Sequence, residues 1–237
     1  HSRGPAGCLP ALYLHGRSIA RFPLAQERAA PGFSMESIVT YLIVGVTVLV
    51  SWRAFSDHKL LARLILWPPA ISRNRQYERL VTHGFIHADW MHLLFNMFTL
   101  FFFGRVMEMF FSQRIGPLGY LVFYLSAIVV AIMPTYIKHQ KDASYRSLGA
   151  SGAVSAVLFA FILLAPWERI YIMPIPIGIP AFVFGGCYIG YSIWMDRQGG
   201  GNVNHSAHLW GAMYGMLFTV MLEPQLASTF VARLMNP

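Results

Sequence analysis

Charge is scarce in this sequence. Only 12% of the 237 residues are Asp, Glu, Lys or Arg, while 56% are hydrophobic. That charged share is about half of what a globular domain carries. Such a chain cannot cover a water-facing surface, which excludes a soluble globular protein and places the chain in lipid. Cysteine is nearly absent as well. Cys8 and Cys187, far apart in the chain, cannot build a disulfide framework. Thiol redox chemistry and thiolate metal sites are thereby set aside. The net charge of +8 is spread through loops rather than gathered with aromatics in a stripe. No nucleic acid partner is expected, and contact with anionic membrane lipids is. No internal repeat appears, which argues against a transporter built from two related halves.

What the chain does have is apolar length. Six runs approach the roughly twenty residues needed to cross a bilayer: Ser37 to Phe55, Trp90 to Phe111, Pro117 to Ile137, Leu148 to Ala165, Pro176 to Met195 and Ala207 to Leu222. Charges or Pro/Gly-rich turns bound each one, so the expectation is an all-α membrane protein, a six-transmembrane-helix bundle. The loops are short except for Ser56 to Asp89, where "KLLARLILW" is too short to cross and amphipathic enough to lie at the interface. Residues 1–34 differ from the rest, with four Arg, one Glu, four Pro and four Gly. They read as an expression leader or misplaced start, or as a targeting presequence, with the core expected over 35–237.

Polar groups inside a bilayer are costly, so those present are candidates for function. Ser151 lies five residues after Arg146, the last charge before the fourth run. His208 follows Asn204 by four residues at the mouth of the sixth. His92 follows Asp89, the expected N-cap of the second, and Asn96 is one turn further in. At 1.5 Å per residue these depths are roughly 5 to 10 Å. If six helices alternate, runs two, four and six point the same way, so the four side chains share one leaflet.

Their chemistry suits acyl transfer. A serine hydroxyl needs a base, usually a neutral histidine, to become a nucleophile. His92 and Asn96, spaced i, i+4, offer donors on one helix face for an oxyanion. Gly152-xxx-Ala156 and Gly211-xxx-Gly215 form small-residue faces that let runs four and six pack closely. No Asp or Glu lies within those two runs, so the base works without a third member, as a Ser–His dyad.

"HGFIHADWMHLLFN", "GASG" and "AHLWGAMYG" resemble the signature segments of the rhomboid intramembrane serine proteases, over Met35 to about Glu223. The resemblance implies a rhomboid-type bundle that cleaves transmembrane segments of other membrane proteins. It implies Ser151 as nucleophile, His208 as base, and His92 and Asn96 as oxyanion donors, with no cofactor or metal. It also implies an integral, multi-pass location, expected in the bacterial cell inner membrane. Arg79, Thr82 and His83 match the family's first-loop segment, and Glu108 its second-span Glu. Two departures stand out. Glu78-Arg79 replaces the family's Trp-Arg pair, and Ser155 occupies the site where many relatives stack an aromatic on the catalytic histidine. The family places loops one and three outside, yet those loops hold Arg63, Arg73, Arg75, Arg79, Lys138, Lys141 and Arg146, which the positive-inside rule assigns to the cytoplasm.

Two other classes remain open in the sequence. His83, His87, His92 and His205 could form a metal site, although no His-Glu-x-x-His motif accompanies them. A rhomboid-like protein that binds membrane helices without cutting them is the non-enzyme alternative. The fifth run is the expected lateral gate, since Pro174, Pro176 and Pro180 lead into it and Gly185, Gly186 and Gly190 interrupt it. Phe182 and Phe184 are its expected plugs.

Overall fold

The computed structural model describes residues 37–172, 175–199 and 203–236. Residues 1–34, with Cys8, and Pro174 lie outside the described residues. The architecture is mostly helical. Helix α1, Ile38–Ser56, is followed by three short helices in the first connection: α2 His58–Leu64, α3 Pro68–Asn74 and α4 Arg79–Thr82. Next come α5 Trp90–Thr99, a π-helical segment Leu100–Gly104, and α6 Arg105–Lys138. Helix α7 spans Ser151–Leu164, strands β1 Arg169–Ile172 and β2 Ile175–Pro180 form a hairpin, and α8 Ala181–Gln198, α9 His205–Leu222 and α10 Gln225–Met235 complete the chain.

The long helical stretch Trp90–Lys138 is folded back on itself. Gly116 has φ +76° and is followed by Pro117, a pairing that breaks an α-helix. Phe111 and Phe123 then meet with ring centroids 4.5 Å apart, whereas twelve residues of straight helix would separate them by about 18 Å. The second and third expected runs are thus two arms joined at Gly116. Deep in this pair, Glu108 is buried and accepts hydrogen bonds from the Val39 and Thr40 amides at 2.9 and 2.7 Å. A carboxylate at a helix start satisfies amides that the helix leaves unpaired and opposes its dipole, so Glu108 fastens α1 to the bundle.

Helix α7 is the centre of the helical bundle among the described residues: every residue after Ser151 is buried. A helix that is apolar all round must be enclosed by others. Its tightest neighbour is α9. A Cβ placed on Gly211 would stand 2.0 Å from the Gly152 carbonyl oxygen, and one on Gly215 would stand 2.0 Å from that of Ala156. Both contacts advance by four residues on each helix, so α7 and α9 run parallel, backbone against backbone, as the small-residue spacing predicts.

Three features depart from or add to the sequence reading. The protein is not wholly α-helical, because the start of the fifth run belongs to the β1–β2 hairpin, with Ile170 opposite Ile179. The fifth helix therefore starts at Ala181 rather than Pro176; the prolines lack amide donors, and the alternating isoleucines favour a strand. The "KLLARLILW" segment is divided between an exposed helix and a buried end. Helix α2 buries no residue, but Leu66 is fully buried and pairs with Ser147 through two backbone hydrogen bonds of 3.0 and 3.3 Å. Finally, α10 lies beyond the six apolar runs; it follows α9 after a bend of 111°.

By length and apolarity, Ile38–Ser56 and Trp90–Lys138 qualify as membrane-crossing, as does α9 with α10 if that bent pair counts as one span. Helix α7 is apolar but has only 14 residues.

Candidate active site

Ser151 opens α7 because the chain turns sharply just before it. Gly149 has φ +115°, which only glycine adopts without strain. Its amide donates to the His83 carbonyl at 2.9 Å. A Cβ at Gly149 would also stand 2.7 Å from His92 Cε1, so the missing side chain is what lets His92 lie against the turn. The first amides of a helix have no partner within it, so those of Ser151 and Gly152 are available beside the serine hydroxyl.

His87 holds the turn from behind. The Ala150 amide donates to His87 Nε2 at 3.4 Å, and His87 Nδ1 lies 3.0 Å from Ser51 Oγ. Ser51 gives its hydrogen to the Phe85 carbonyl at 3.1 Å, so His87 Nδ1 must be the donor to Ser51. One neutral tautomer satisfies all three bonds. Burial, with His92 adding to it, pushes the His87 imidazole down to about 3. Burial likewise pushes His83 down to about 4, and His83 Nδ1 bonds the Arg79 carbonyl at 3.0 Å. Arg79 in turn donates to the carbonyls of Ala62 and Ile65 at 2.8 and 2.7 Å, and Thr82 to Leu64 at 2.9 Å. The first connection is a hydrogen-bonded brace under the turn that carries Ser151.

The sequence-predicted residues gather around one cavity of about 1230 Å³, which Ser151, His208, His92 and Asn96 all line. Asp89 Oδ1 accepts from the His92 amide at 2.8 Å, as the expected N-cap. Asn204 caps α9 by accepting from Ala207 at 3.0 Å. A Cβ on Gly152 would be 3.4 Å from the Ala207 carbonyl oxygen, so Ser151 and His208 belong to adjoining levels of the α7–α9 contact. Asn96 commits one amide hydrogen to the His92 carbonyl at 2.8 Å, leaving its second for another acceptor.

The vacancy left by Ser155 is filled from another helix. The Tyr188 ring of α8 stacks on His208, centroids 5.9 Å apart at 29°. Ser155 Oγ donates to the Ser151 carbonyl at 2.8 Å and lies 2.7 Å from the Tyr188 hydroxyl. With its one hydrogen committed, Ser155 must accept from Tyr188. Sequence reasoning missed Tyr188. The structure shows its place: Ala181, Gly185 and Ser192 are the buried positions of α8, and Tyr188 is the one large residue on that i, i+4, i+7, i+11 stripe.

His205 also lies against His208, its ring edge-on at 5.6 Å. Among the described residues, no group of three or more His, Cys, Asp or Glu is arranged to hold a metal ion. Of the two expected plugs, Phe184 lines the cavity. Phe182 does not; its ring packs on Trp167 at 4.8 Å.

Residues 74–225 match the Rhomboid domain. The chain is 31% identical over 195 residues to RHOMBOID-like protein 12, mitochondrial, of Arabidopsis thaliana, covering 76% of this chain and 57% of that protein. It is 32% identical over 163 residues to Rhomboid-like protein 11, chloroplastic, of the same plant, covering 62% and 53%. A candidate rhomboid protease, YdcA, of Bacillus subtilis is 24% identical over 194 residues, covering 78% and 87%. The chain spans little more than half the length of the two plant relatives.

Proposed function

The chain belongs to the rhomboid family, and on that premise we propose that it is an intramembrane serine endopeptidase that cuts transmembrane segments of other proteins with a Ser151–His208 dyad. One observation carries this reading above the rest. The nucleophile candidate opens α7 where its backbone meets that of α9, and the base candidate sits on α9 at the adjoining level. His208 takes the Ser151 proton as the hydroxyl attacks a substrate carbonyl, then returns it to the leaving amine. His92, Asn96 and the Ser151 amide face the developing oxyanion from the cavity wall. The six helical arms are read as six spans, with α7 short because it begins below the head groups at the floor of the cavity.

The substrate is read as a transmembrane helix. Its carbonyls are unreachable while they are bonded within the helix, so it must unwind, and helix-weakening residues are expected near the cut. The expected bacterial inner membrane lacks support, since the two more identical relatives named above are mitochondrial and chloroplastic; an integral membrane location stands.

The deciding experiment labels purified protein with a fluorophosphonate. Labelling and cleavage should both vanish in Ser151→Ala and His208→Ala while the fold survives, and chelators should change neither. Labelling that persists in Ser151→Ala would sink the proposal. His92→Ala and Asn96→Ala should each lower turnover, by about 100- to 1000-fold for an effective oxyanion donor, with a smaller effect on binding.

A further inference from the structure

Resting on the dyad reading, we propose that Tyr188 is the positioning residue of His208, so that the orientation of the base is set by α8 rather than by the nucleophile's own helix. A catalytic imidazole must be held in one rotamer to accept the serine proton, and a third hydrogen-bonding group often does this. Among the described residues no ion pair reaches His208. What reaches it is a ring face, with the edge of the neighbouring His205 on its own helix. Tyr188 stacks on the imidazole at 5.9 Å and 29°.

The stack is anchored at its far end. The Tyr188 hydroxyl donates to Ser155, and Ser155 donates to the carbonyl of Ser151 itself, at 2.7 and 2.8 Å. A ring fixed at its tip and packed along its face has little freedom, and it passes that constraint to its neighbour. The chain of contacts therefore runs from the nucleophile through Ser155 and Tyr188 to the base. Around it, α8 approaches α7 through small residues, with Gly185 facing Ile162 and Phe159. Tyr188 is the large side chain that this close approach delivers to the cavity. The helix that forms one wall of the cavity thus also supports the base.

The test compares Tyr188→Leu, Tyr188→Phe and the double variant Tyr188→Leu with Ser155→Tyr, each in detergent and with a transmembrane substrate. Tyr188→Leu should lower kcat about tenfold, the worth of an aromatic pair, with KM within about threefold and an unchanged unfolding temperature. Tyr188→Phe keeps the ring and should lose no more than about threefold. The double variant, which offers a ring from α7 instead, should recover most of the loss. A wild-type kcat in Tyr188→Leu, or equal losses in Leu and Phe, would overturn the proposal. So would a loss matched by a fall in unfolding temperature.

Carbethoxylation of His208, read by mass spectrometry, needs no catalysis. It should run several-fold faster in Tyr188→Leu than in wild type or Tyr188→Phe. If wild-type protein neither cleaves nor labels, the protease reading fails, yet this measurement still decides the position of His208. Equal modification rates would refute the role of Tyr188.

Discussion

Helices α7 and α8 flank the same cavity and are built in opposite ways. Helix α7 is buried along its whole length after Ser151 and meets α9 with no room for a methyl group at Gly211 or Gly215. Helix α8 buries only Ala181, Gly185 and Ser192, and a Cβ at Gly186 or Gly190 would touch nothing within 4 Å. The same residue type has two meanings. In α9, glycine permits backbone contact; at these two positions of α8 it only weakens the helix. One side of the site is a rigid seat for the dyad candidates, and the other is a lightly held wall.

The comparison breaks most severely at α9. Gly211→Val or Gly215→Val would drive carbons into backbone oxygens that cannot yield, and overpacking of this kind costs several kcal/mol. The expected outcome is loss of folded protein, read by size exclusion and thermal unfolding; a well-folded Gly211→Val would show that the contact is looser than described. Next in size is a crosslink from α8 to α5, for example Phe184→Cys with Thr99→Cys, both of which line the cavity. Cleavage of a transmembrane substrate should fall at least tenfold while fluorophosphonate labelling survives. Full cleavage by the crosslinked protein would move the entrance elsewhere.

Acid provides a third test, aimed at the rigid side. His83 and His87 are buried and neutral, with values pushed down to about 4 and about 3. Below the ordinary value near 6.5, the unfolded chain binds protons that the folded chain refuses. Stability should therefore fall as pH drops from about 6.5 toward 4, by at most about 1.4 kcal/mol per pH unit for each histidine. His87→Gln should flatten that slope, as measured by unfolding temperature against pH. Trimming Phe184→Ala should raise cleavage of a transmembrane substrate a few-fold, whereas Phe182→Ala, packed on Trp167, should leave it unchanged. The smallest effect belongs to the loose wall. Gly186→Ala or Gly190→Ala should stabilise by up to about 1 kcal/mol through helix propensity alone.

Much of the site was legible because membrane chemistry makes polar residues conspicuous. Ser151, His208, His92 and Asn96 stand out where lipid should exclude them, and the spacing of Gly211 and Gly215 already implied a partner helix. Three things were not legible. The β1–β2 hairpin was hidden because isoleucine and proline there read equally as the start of a span. Helix α10 was hidden because it is amphipathic and follows directly after the sixth run. Tyr188 was hidden because its partner, His208, is twenty residues away on the next helix, and nothing local marks a tyrosine in a membrane segment as a stacking ring.

Sequence alone determined that the chain lives in lipid, which residues cap the helices carrying His92 and His208, and which side chains are candidates for acyl transfer, since apolar length, capping residues and chemical type are properties of short segments. Only the tertiary structure decided that the Trp90–Lys138 stretch folds back at Gly116, that His87 takes one tautomer between Ser51 and Ala150, and that Tyr188 rather than residue 155 supplies the ring on His208. Each of these depends on which distant groups come within a few ångströms of one another, and hydrogen bonds and ring contacts are decided at that range.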